Sequence, residues 1–548
     1  MKLEEIETLD FSSPFKVMVG DKEKIVRKAP ATQGFWDLWK ESKDALKAAG
    51  YSPNKFRGQW EVAHWSNGVA IPAIASSDAP SAPVIPVYPE LTYPSGLKLF
   101  QVELVKQGVH CMNVRGCNLV GHGTGVGKTF ISLAIARERG RRVAVICPKN
   151  IMRDWHQAAK LLGVELVGVF GWEYVKTGKT DMGEFSYKVT RKKIKNEWTM
   201  VNTPDKFSFD LPDDVDLIFD EAHRARNYGT QNSKLLYAAK EQKIPHMLLS
   251  ATIGTDPVQM DAIGHSIGLH RGYKDYYAFM KENGCYKTRF GFQFSGTSKN
   301  LQKLNRMIFP SLGQRVRPSD LGDAFPETTI EAKTFSIEDA SSIADAYSNL
   351  QTELERIEEQ LSKSEAQSHI LAAITRARQR VELLKAPSLV PIFRDAIEEG
   401  NSVFVTVNFK ETLEFLRTEM KNSAFIAGGQ TPTARQAAID SFQRNEVRCL
   451  IGINLACQEG ISLHDLDGNF PRIAYHMPTS HTLAMKQVFG RVARIGGKSK
   501  SFQYVCYCEG VDVEESVCLT MQTKLNNLSN LMDGESDPVA KFYNTQQQ

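Results

Sequence analysis

Short runs of apolar residues alternate with segments of helical spacing over residues 97–268. The runs are CNLVG, VAVICP, DLIFDEAH and HMLLSAT, and the segment FISLAIARERG between the first two has the apolar spacing of a helix. Uninterrupted apolar runs of this length are typical of strands that are buried on both faces of a parallel sheet. The repeated order of strand, loop and helix therefore predicts a doubly wound α/β domain.

A second series of the same kind occupies residues 400–525, with the runs SVFVTV, RCLIGI, RIAYHM and FQYVCYC. Between the two series, residues 269–399 are predicted to be mainly helical, because apolar side chains recur there at helical spacing. These side chains are Ile343, Tyr347, Leu350, Leu354, Ile357 and Leu361. We expect a helical subdomain packed on one or both α/β domains rather than a free-standing coiled coil, because the pattern is short. The fold class is thus α/β, with two tandem parallel-sheet lobes.

The chain before residue 97 divides into two parts. Residues 1–70 contain their own aromatic and aliphatic side chains and a helix pattern that stops at Gly50, so we expect a small N-terminal accessory domain. Residues 71–96 are rich in proline and small residues, which favours an extended linker. At the other end, residues 526–548 are predicted to form a C-terminal tail that is disordered after Asp533.

The composition narrows the class of protein. A length of 548 residues predicts two to four domains, and 42% hydrophobic with 24% charged residues is typical of globular chains. The nine cysteines form no C-x-x-C pair, so neither zinc nor a disulfide framework is expected. The first residues, MKLEEIETLDF, are acidic where a signal peptide is apolar, and no uncharged stretch could span a bilayer. We expect a soluble intracellular protein of a reducing compartment, cytoplasmic, nucleoid or nuclear, with no membrane partner.

The segment GHGTGVGKTF, residues 121–130, has the pattern of a phosphate-binding loop, except that the pattern G-x-x-x-x-G-K-[ST] has glycine where this chain has His122. Glycines let backbone amides turn towards phosphates at a helix N-terminus. In such loops the lysine reaches the β- and γ-phosphates and the hydroxyl holds Mg²⁺. The predicted cofactors are therefore ATP and Mg²⁺. The predicted contacts are Gly123, Thr124, Gly125, Val126, Gly127, Lys128 and Thr129.

Asp220 and Glu221 end the apolar run DLIFDEAH. Burying an ionised carboxylate at the end of a strand costs free energy unless a cation lies beside it, and Mg²⁺ is such a cation. Asp220 is the predicted metal ligand, through water, together with Thr129. Glu221 is the predicted catalytic group that polarises the attacking water. The alternative, an acidic pair at a surface strand end, is disfavoured by the phosphate loop upstream.

The phosphate loop and Asp220-Glu221-Ala222-His223 together resemble helicase superfamily 2, and further segments resemble its motifs in family order. LKLFQ resembles the glutamine motif, VICPKNIMRDW motif Ia, Ser250-Ala251-Thr252 motif III, QEGISL motif V and QVFGRVARIG motif VI. The resemblance implies two RecA-like lobes with ATP between them. It assigns adenine recognition to Gln101 and a nucleotide contact to Gln487. The catalytic residues that it implies are Lys128, Arg491 and Arg494. The residues that it implies for coupling between the ATP and nucleic-acid sites are Ser250, Ala251, Thr252 and Gly460.

Arg491 and Arg494 are three residues apart, so on one helix turn they would share a face. Two arginines at this spacing more often form a solvent-exposed basic surface of a helix. In the second domain of a two-domain ATPase, the pair can instead reach across the cleft to the γ-phosphate. Arginine fingers of this kind contribute roughly 10³–10⁵ in rate and make hydrolysis conditional on cleft closure.

Several details resemble the SWI/SNF-like branch and the annealing or fork-remodelling helicases related to it. These are the proline-to-tryptophan spacing of CPKNIMRDW, the segment DEAHRARN, the basic stretch before a proline in residues 308–328 and motif VI ending in RIG. The chain departs from the branch where SATIGTDP stands in place of T-G-T-P, and long insertions are absent or small. Residues 44–65 resemble the HARP module of annealing helicases, which implies contacts of Trp60 and Trp65 with branched or single-stranded DNA. A small scaffold domain is the alternative.

Superfamily 2 enzymes bind the strand backbone across both lobes, which implies sequence-independent phosphate contacts that weaken with salt. By motif position, the predicted contacts are Lys149, Asn150, Thr203, Asn408 and Gly460. The basic run KVTRKKIKNEW, residues 188–198, is interpreted as a solvated hairpin between strands, with a DNA contact as the alternative. The sequence shows no aromatic array of the kind that single-strand binders use.

Three functions are compatible with these features. The first hypothesis is an ATP-driven DNA translocase or helicase that remodels duplex, forked or branched DNA by annealing, fork regression or branch migration. An RNA helicase is the second, which the SWI/SNF-like features disfavour. A degenerate ATPase that serves as a binding scaffold is the third, and the intact set of loop, acidic and arginine residues argues against it. We expect a monomer, with replication or recombination proteins as further partners.

Overall fold

The computed structural model describes four strands within residues 15–66, residues 88 and 90–93, and residues 96–535 apart from 195–196, 289–290, 361–362, 459 and 480. The predicted helix before Gly50, most of the predicted linker 71–96, Leu361 and residues 536–548 lie outside the described residues. The chain forms two compact units, residues 1–87 and residues 88–548.

The first unit contains a four-stranded antiparallel sheet with the strand order β1-β2-β4-β3. Both tryptophans of the predicted HARP-like segment, Trp60 and Trp65, lie on β4, where Trp60 pairs with Lys55 and Trp65 pairs with Val26. The strands are β1 Phe15–Val19, β2 Lys22–Pro30, β3 Tyr51–Phe56 and β4 Gln59–Ser66.

The second unit contains two six-stranded sheets, each parallel throughout, with the orders β15-β5-β12-β11-β6-β7 and β16-β21-β20-β17-β19-β18. We call each sheet with its helices a lobe. The strands are β5 Cys117–Val120, β6 Arg142–Cys147, β7 Leu166–Gly171, β8 Lys179–Thr180, β9 Gly183–Ile194, β10 Glu197–Phe209, β11 Val215–Asp220, β12 His246–Leu249, β13 Cys285–Thr288, β14 Gly291–Phe294, β15 Gly313–Gln314, β16 Thr328–Phe335, β17 Ser402–Val407, β18 Ser423–Ile426, β19 Cys449–Ile453, β20 Arg472–His476 and β21 Ser501–Cys508.

Helices cover both faces of each sheet, as a doubly wound fold requires. The α-helices are α1 Leu99–Arg115, α2 Lys128–Glu138, α3 Met152–Leu162, α4 Trp172–Val175, α5 Gln231–Glu241, α6 Asp261–Ile267, α7 Tyr273–Glu282, α8 Ser298–Ile308, α9 Ala340–Gln360, α10 Lys363–Glu398, α11 Lys410–Glu419, α12 Pro432–Gln443, α13 Asn454–Cys457, α14 Thr482–Phe489 and α15 Asp512–Asp533. Short 3₁₀ turns occupy Lys149–Ile151, Ala222–Ala225, Pro257–Gln259 and Pro318–Ala324.

Alternate side chains of the central strands are buried on opposite faces of the first sheet. On β11, Leu217 and Phe219 pack with α5, α6 and α8, whereas Ile218 packs with α1, α2 and α3. All six residues of β11 are buried, which explains why its sequence reads as one apolar run without alternation. The apolar runs noted in the sequence all lie on strands of the two sheets, so the predicted α/β fold class is confirmed.

The predicted lobe boundaries differ from the strands that the structure shows. The region 269–399 contains β15 at the edge of the first sheet and β16 at the edge of the second, in addition to its helices. A two-residue strand such as β15 leaves no pattern in a sequence. β16 (TTIEAKTF) lies at a sheet edge, where only Phe335 is buried and the other residues are half-buried or exposed, so it lacks the apolar run of a central strand.

Residues 526–533 are helical, contrary to the predicted start of a tail at residue 526. They end α15, a helix of 22 residues with three acidic residues in its first turn and Gly534 in the left-handed region at its C-terminus. Cys518, Met521 and Leu525 pack on the second lobe, whereas Leu528 and Leu531 pack on the first. The sequence does not mark α15 as one helix, because its first half packs in the core of one lobe and its second half in the core of the other.

The predicted hairpin within residues 188–198 is present. β9 and β10 form an antiparallel ladder that begins at the pair Ile194 and Glu197 and ends at the pair Gly183 and Phe209. Among the described residues, no helix combines the length and the apolar character that crossing a membrane requires.

The burial of α15 against the first lobe leads to a test of stability. We expect Leu528→Ala to lower the free energy of unfolding by about 2–5 kcal/mol, because it deletes a side chain that is 1% exposed. On the same helix, Leu519 is 46% exposed, and Leu519→Ala should change the free energy by about 0.5 kcal/mol or less. Denaturant unfolding of the two variants checks this, and equal effects would contradict the packing of α15 described above.

Candidate active site

The phosphate loop joins β5 to α2 and is shaped by glycines with positive φ. Gly125 has φ 79° and Gly127, which precedes the first residue of α2, has φ 93°. An added Cβ on Gly127 would lie 2.6 Å from Nε2 of Gln101, and one on Gly125 would lie 3.1 Å from Cγ of Arg494, so both side chains would have to shift. Both positions therefore favour glycine, chiefly because of the positive φ.

Lys128 closes the loop over its own backbone. Its Nζ donates to the carbonyl oxygens of His122 at 3.1 Å and Gly123 at 3.2 Å. Burial lowers the pKa of Lys128, although the carboxylates of Glu221 and Asp220 oppose this shift. The ammonium thus lies beside both carboxylates at the helix N-terminus. This donor set, with the half-buried Thr129 next in sequence, fits a nucleotide with Mg²⁺.

Indole groups hold Asp220 at the end of β11. Nε1 of Trp155 donates to Oδ2 of Asp220 at 2.9 Å, and Nε1 of Trp172 donates to its backbone carbonyl at 2.8 Å. The backbone N–H of Glu221 donates to Oδ1 at 2.9 Å. Two of these bonds fix the carboxylate and the third fixes its backbone, and all three donors are uncharged, so a cation can still bind there.

Glu221 has φ 52° and ψ 50°, a left-handed conformation that non-glycine residues rarely adopt. Burial raises the pKa of Asp220, and the charge of Glu221 raises it further. Burial alone would raise the pKa of Glu221 too, but the hydrogen bond and charge of His223, with the charge of Lys128, lower it below its ordinary value. Glu221 is therefore ionised near neutral pH and can accept a proton.

His223 links this carboxylate to the segment Ser250-Ala251-Thr252. Its Nδ1 lies 3.2 Å from Oε2 of Glu221 and 3.3 Å from Oγ of Ser250. The Ser250 hydroxyl in turn donates to the carbonyl of Thr252 at 2.7 Å, and Arg315 donates to the carbonyl of Ala251 at 3.2 Å. Of the predicted coupling residues, Ser250 is thus connected to Glu221 through one histidine, and Thr252 is connected through Ser250.

The second lobe reaches the site through residues that follow its strand β20. Nε2 of Gln487 donates to Oε2 of Glu221 at 3.0 Å. Gly490 lies against the phosphate loop so closely that an added Cβ would be 1.9 Å from Oγ1 of Thr124. The cleft between the lobes is therefore closed, and the carboxylate predicted to be catalytic is completed from the other lobe.

Arg491 and Arg494 do not share a helix face as predicted, because α14 ends at Phe489 and both arginines lie beyond it, Arg491 in a turn and Arg494 in irregular chain. Arg491 is buried and donates to the carbonyls of Gln458 and, at 3.3 Å, of Ile461. Arg494 packs against Gly125, and burial followed by the charge of Arg491 lowers its pKa to about 9. The two arginines therefore have different contacts: Arg491 bonds to carbonyls of the second lobe, whereas the stem of Arg494 lies against the phosphate loop and its Nε donates to the carbonyl of Gly490 at 3.3 Å.

Gln101 contacts the phosphate loop itself. Its Nε2 lies 3.4 Å from the carbonyl of Val126, and its Oε1 accepts from the backbone N–H of Lys98 at 3.0 Å. The predicted reading of adenine by Gln101 stays a prediction.

The predicted nucleic-acid contacts lie in three places. Asn150 and Gly460 meet across the lobes, since a Cβ on Gly460 would lie 2.3 Å from Nδ2 of Asn150, and the exposed Lys149 adjoins them. Thr203 lies in the β9–β10 ladder and donates to the carbonyl of Lys188 at 3.2 Å.

Asn408 has its amide nitrogen engaged inside the second lobe. Its Nδ2 donates to Oε2 of Glu382 at 2.6 Å and to the carbonyl of Pro478 at 2.9 Å. This arrangement uses the donors that a phosphate would need. It favours a role for Asn408 in shaping the strand end of β17.

Sequence reasoning gave no role to Trp155, Trp172, Arg315 or Glu382. Trp155 was part of the quoted proline-to-tryptophan spacing, so a signal for it existed. The others contact the site from distant positions in the chain, and no local pattern marks them.

Comparisons with known proteins follow the same division of the chain. The family model "DEAD/DEAH box helicase" matches residues 102–260, and "Helicase conserved C-terminal domain" matches residues 382–496. A protein of Acanthamoeba polyphaga mimivirus named "Putative ATP-dependent RNA helicase L364" is 30% identical over 433 residues, which cover 75% of this chain and 79% of that protein. This chain belongs to the superfamily 2 helicases. It hydrolyses ATP and uses Mg²⁺.

Two solved structures resemble the fold of this helicase. The "Sulfolobus solfataricus SWI2/SNF2 ATPase core in complex with dsDNA" has a TM-score of 0.33 and 14% identity, covering 82% of this chain and 96% of that one. A variant of S. cerevisiae Dbp5 bound to RNA and ADP BeF3 has a TM-score of 0.38 and 11% identity, covering 79% of this chain and 92% of that one.

Two substitutions test the ATP site. We expect Lys128→Ala and Glu221→Gln each to lower the ATPase rate by at least about 10²-fold, because one removes a phosphate contact and the other removes the proton acceptor. Nucleic-acid binding should stay measurable by fluorescence anisotropy. Lys160→Ala and Glu165→Gln, at exposed positions of the same lobe, are the matched controls. Unchanged turnover in the first pair would contradict the assigned site.

The different contacts of the two arginines yield a third expectation. Arg494→Ala should lower kcat by about 10²–10³-fold with little change in the melting temperature, because its side chain packs on Gly125 of the phosphate loop, where we expect its guanidinium to meet the phosphates of bound ATP. Arg491→Ala should lower the melting temperature as well, because it leaves buried carbonyls without their donor. Equal melting temperatures for the two variants would show that Arg491 has no structural role.

Proposed function

We propose that this helicase is a DNA translocase of the SWI/SNF-like type that remodels duplex, forked or branched DNA by annealing, fork regression or branch migration. The observation that carries the proposal is the bond between Gln487 of the second lobe and Glu221 of the first. Because each lobe completes the ATP site of the other, hydrolysis depends on how the lobes are placed, and lobe movement can follow it.

The proposed roles at the site combine its geometry with the resemblance to the superfamily motifs. ATP with Mg²⁺ supplies, when bound, the phosphoanhydride that is cleaved. Lys128 binds the phosphates, Thr129 and Asp220 hold the metal, and Glu221 orients the attacking water and takes its proton. Arg494 stabilises the charge that develops on the phosphates from the second lobe. The remaining roles are adenine recognition by Gln101, positioning by Gln487 and Arg491, and coupling by Ser250, Ala251, Thr252 and Gly460.

The contact of Asn150 with Gly460 supports translocation as the output. These two predicted strand contacts belong to different lobes and touch when the cleft is closed. Opening the cleft would separate them, so a strand bound to both would be moved relative to one lobe. Backbone amides and polar side chains at this place suit phosphates and give no base recognition, which fits sequence-independent binding.

DNA is favoured over RNA by the SWI/SNF-like features of the chain. Trp155, which completes the proline-to-tryptophan spacing of that branch, is buried and bonded to Asp220. The alternative, an RNA helicase, is supported by the name of the mimiviral relative.

We further propose that the helicase acts as a monomer, that replication or recombination proteins are partners, and that the unit containing Trp60 and Trp65 contacts branched or single-stranded DNA.

A panel of nucleic acids tests the proposed substrate. The ATPase rate should rise with double-stranded and forked DNA more than with single- or double-stranded RNA of equal length and sequence. The stimulation should weaken with rising salt, because phosphate contacts dominate. Initial rates of phosphate release measure both effects, and the ATPase rate without added nucleic acid is the baseline. Stimulation by RNA alone would overturn the DNA proposal in favour of the RNA helicase.

A further inference from the structure

The hairpin of β9 and β10 extends beyond the body of the first lobe. We call residues 186–200 the hairpin arm. Its described side chains from Ser186 to Arg191 are exposed or half-exposed, as are Trp198 and Met200 on the returning strand. Both faces of the arm are therefore open along most of its described length. An antiparallel pair with no cover on either face needs a rigid base to keep its position.

That base lies in the core of the first lobe. The rings of Phe185 and Phe207 are 4.9 Å apart, those of Phe207 and Phe209 are 4.7 Å apart, and all three side chains are buried. Phe209 also lies 6.4 Å from Phe219, which precedes Asp220 on β11. The arm is thus anchored beside the strand that carries the acidic pair.

One face of the arm is an exposed apolar stripe. Directly opposed residues of an antiparallel pair share a face, which places Tyr187, Val189 and Arg191 on the face of Met200 and Trp198. The exposed fractions are 53% for Tyr187, 60% for Val189, 65% for Met200 and 61% for Trp198. Tyr187 and the residue opposite Trp198 are six positions apart, a span of about 20 Å.

The other face satisfies its own polar groups. Lys188 pairs with Asp205 at 2.6 Å, and the hydroxyls of Thr190 and Thr203 are 3.2 Å apart. The apolar stripe has no such internal partners among its described side chains, apart from Arg191, whose guanidinium lies 5.1 Å from the centre of the Trp198 ring. The stripe is therefore the face that is suited to an external partner.

The charge of the arm indicates which partner. Residues 186–200 contain five basic residues and one acidic residue, an excess of four positive charges, and the whole chain has a formal charge of +4. A protein-docking surface would need an acidic partner. A helicase already has a polyanion as its substrate, so charge complementarity favours nucleic acid.

We propose that the apolar stripe of the hairpin arm binds the unpaired strand of the DNA substrate, with bases stacking on Trp198 and Tyr187 and the net positive charge of the arm attracting the strand. This inference rests on the proposed function and adds a contact site outside the superfamily motifs. Unpaired bases are specified because duplex DNA hides its base faces, whereas an exposed aromatic ring offers a stacking surface to any base. Arg191 covers one side of the Trp198 ring and leaves the rest for a base.

The test compares binding of the full-length chain to a 20-nucleotide poly-dT strand and to a 20-base-pair DNA duplex by fluorescence anisotropy. Trp198→Ala should weaken poly-dT binding about 5- to 100-fold and duplex binding less than about threefold, since stacking contributes only with unpaired bases. Trp198→Phe keeps a ring and should retain most of the poly-dT affinity. Tyr286→Ala, at a 48% exposed tyrosine of the separate β13–β14 hairpin, is the matched control and should change neither affinity.

The outcomes separate this inference from the proposed function. If Trp198→Ala binds poly-dT as well as the wild type does, the arm assignment is overturned and the DNA function stands. If it loses both affinities equally with a lowered melting temperature, Tyr187→Ala is measured in its place under the same criterion. A wild-type chain that binds poly-U and not poly-dT overturns both the DNA function and this assignment. An acidic protein that binds the arm while poly-dT affinity is unaffected by Trp198→Ala overturns it in favour of protein docking.

Discussion

Burial of two adjacent carboxylates at the end of β11 is the constraint on which the rest of the active site depends. A carboxylate in such a place is unfavourable unless each oxygen has a donor or a cation. The carboxylate of Asp220 receives the indole of Trp155 from α3 on one oxygen and the backbone N–H of Glu221 on the other, and Glu221 receives His223 and, from the other lobe, Gln487. Lys128 adds a positive charge from the phosphate loop. The acidic pair thus determines which elements must meet, and one of them must come from the second lobe.

Arg315 and α15 help to hold the two lobes in the arrangement that the acidic pair requires. Arg315 follows the short edge strand β15 and donates to the carbonyls of Gly121, beside the phosphate loop, and of Ala251. Its guanidinium also forms an ion pair with Asp533, at the end of α15, at 2.7 Å. Because α15 packs on both lobes, this ion pair connects the lobe junction to the two loops that border the ATP site. Both side chains are mostly buried, so loss of one partner would leave a poorly solvated charge.

The elements that the sequence predicted are those whose signal is local. The runs VAVICP and SVFVTV, the Gly-Lys-Thr of the loop and the Asp220–Glu221 pair each contain their evidence within a few residues. β15, β16 and the second half of α15 could not be found in this way, because their burial depends on partners hundreds of residues away. The helical placement of Arg491 and Arg494 was wrong for a related reason. Close packing of Gly490 on Thr124 of the other lobe accompanies the end of α14 at Phe489, and spacing along the chain does not show such a contact.

His122 shows how a departure from a sequence pattern can be tolerated. The imidazole is fully buried, and burial, followed by the charges of Lys128 and Arg315, lowers its pKa to about 3. The ring is therefore neutral and adds no charge beside the two cations. What the loop uses at this position is the backbone carbonyl, which accepts from Lys128 at 3.1 Å. A carbonyl is available from any residue, whereas Gly125 and Gly127 have a positive φ that side chains rarely adopt. The glycines that the loop cannot replace are those two, and the first position of the pattern is open to a side chain that packs.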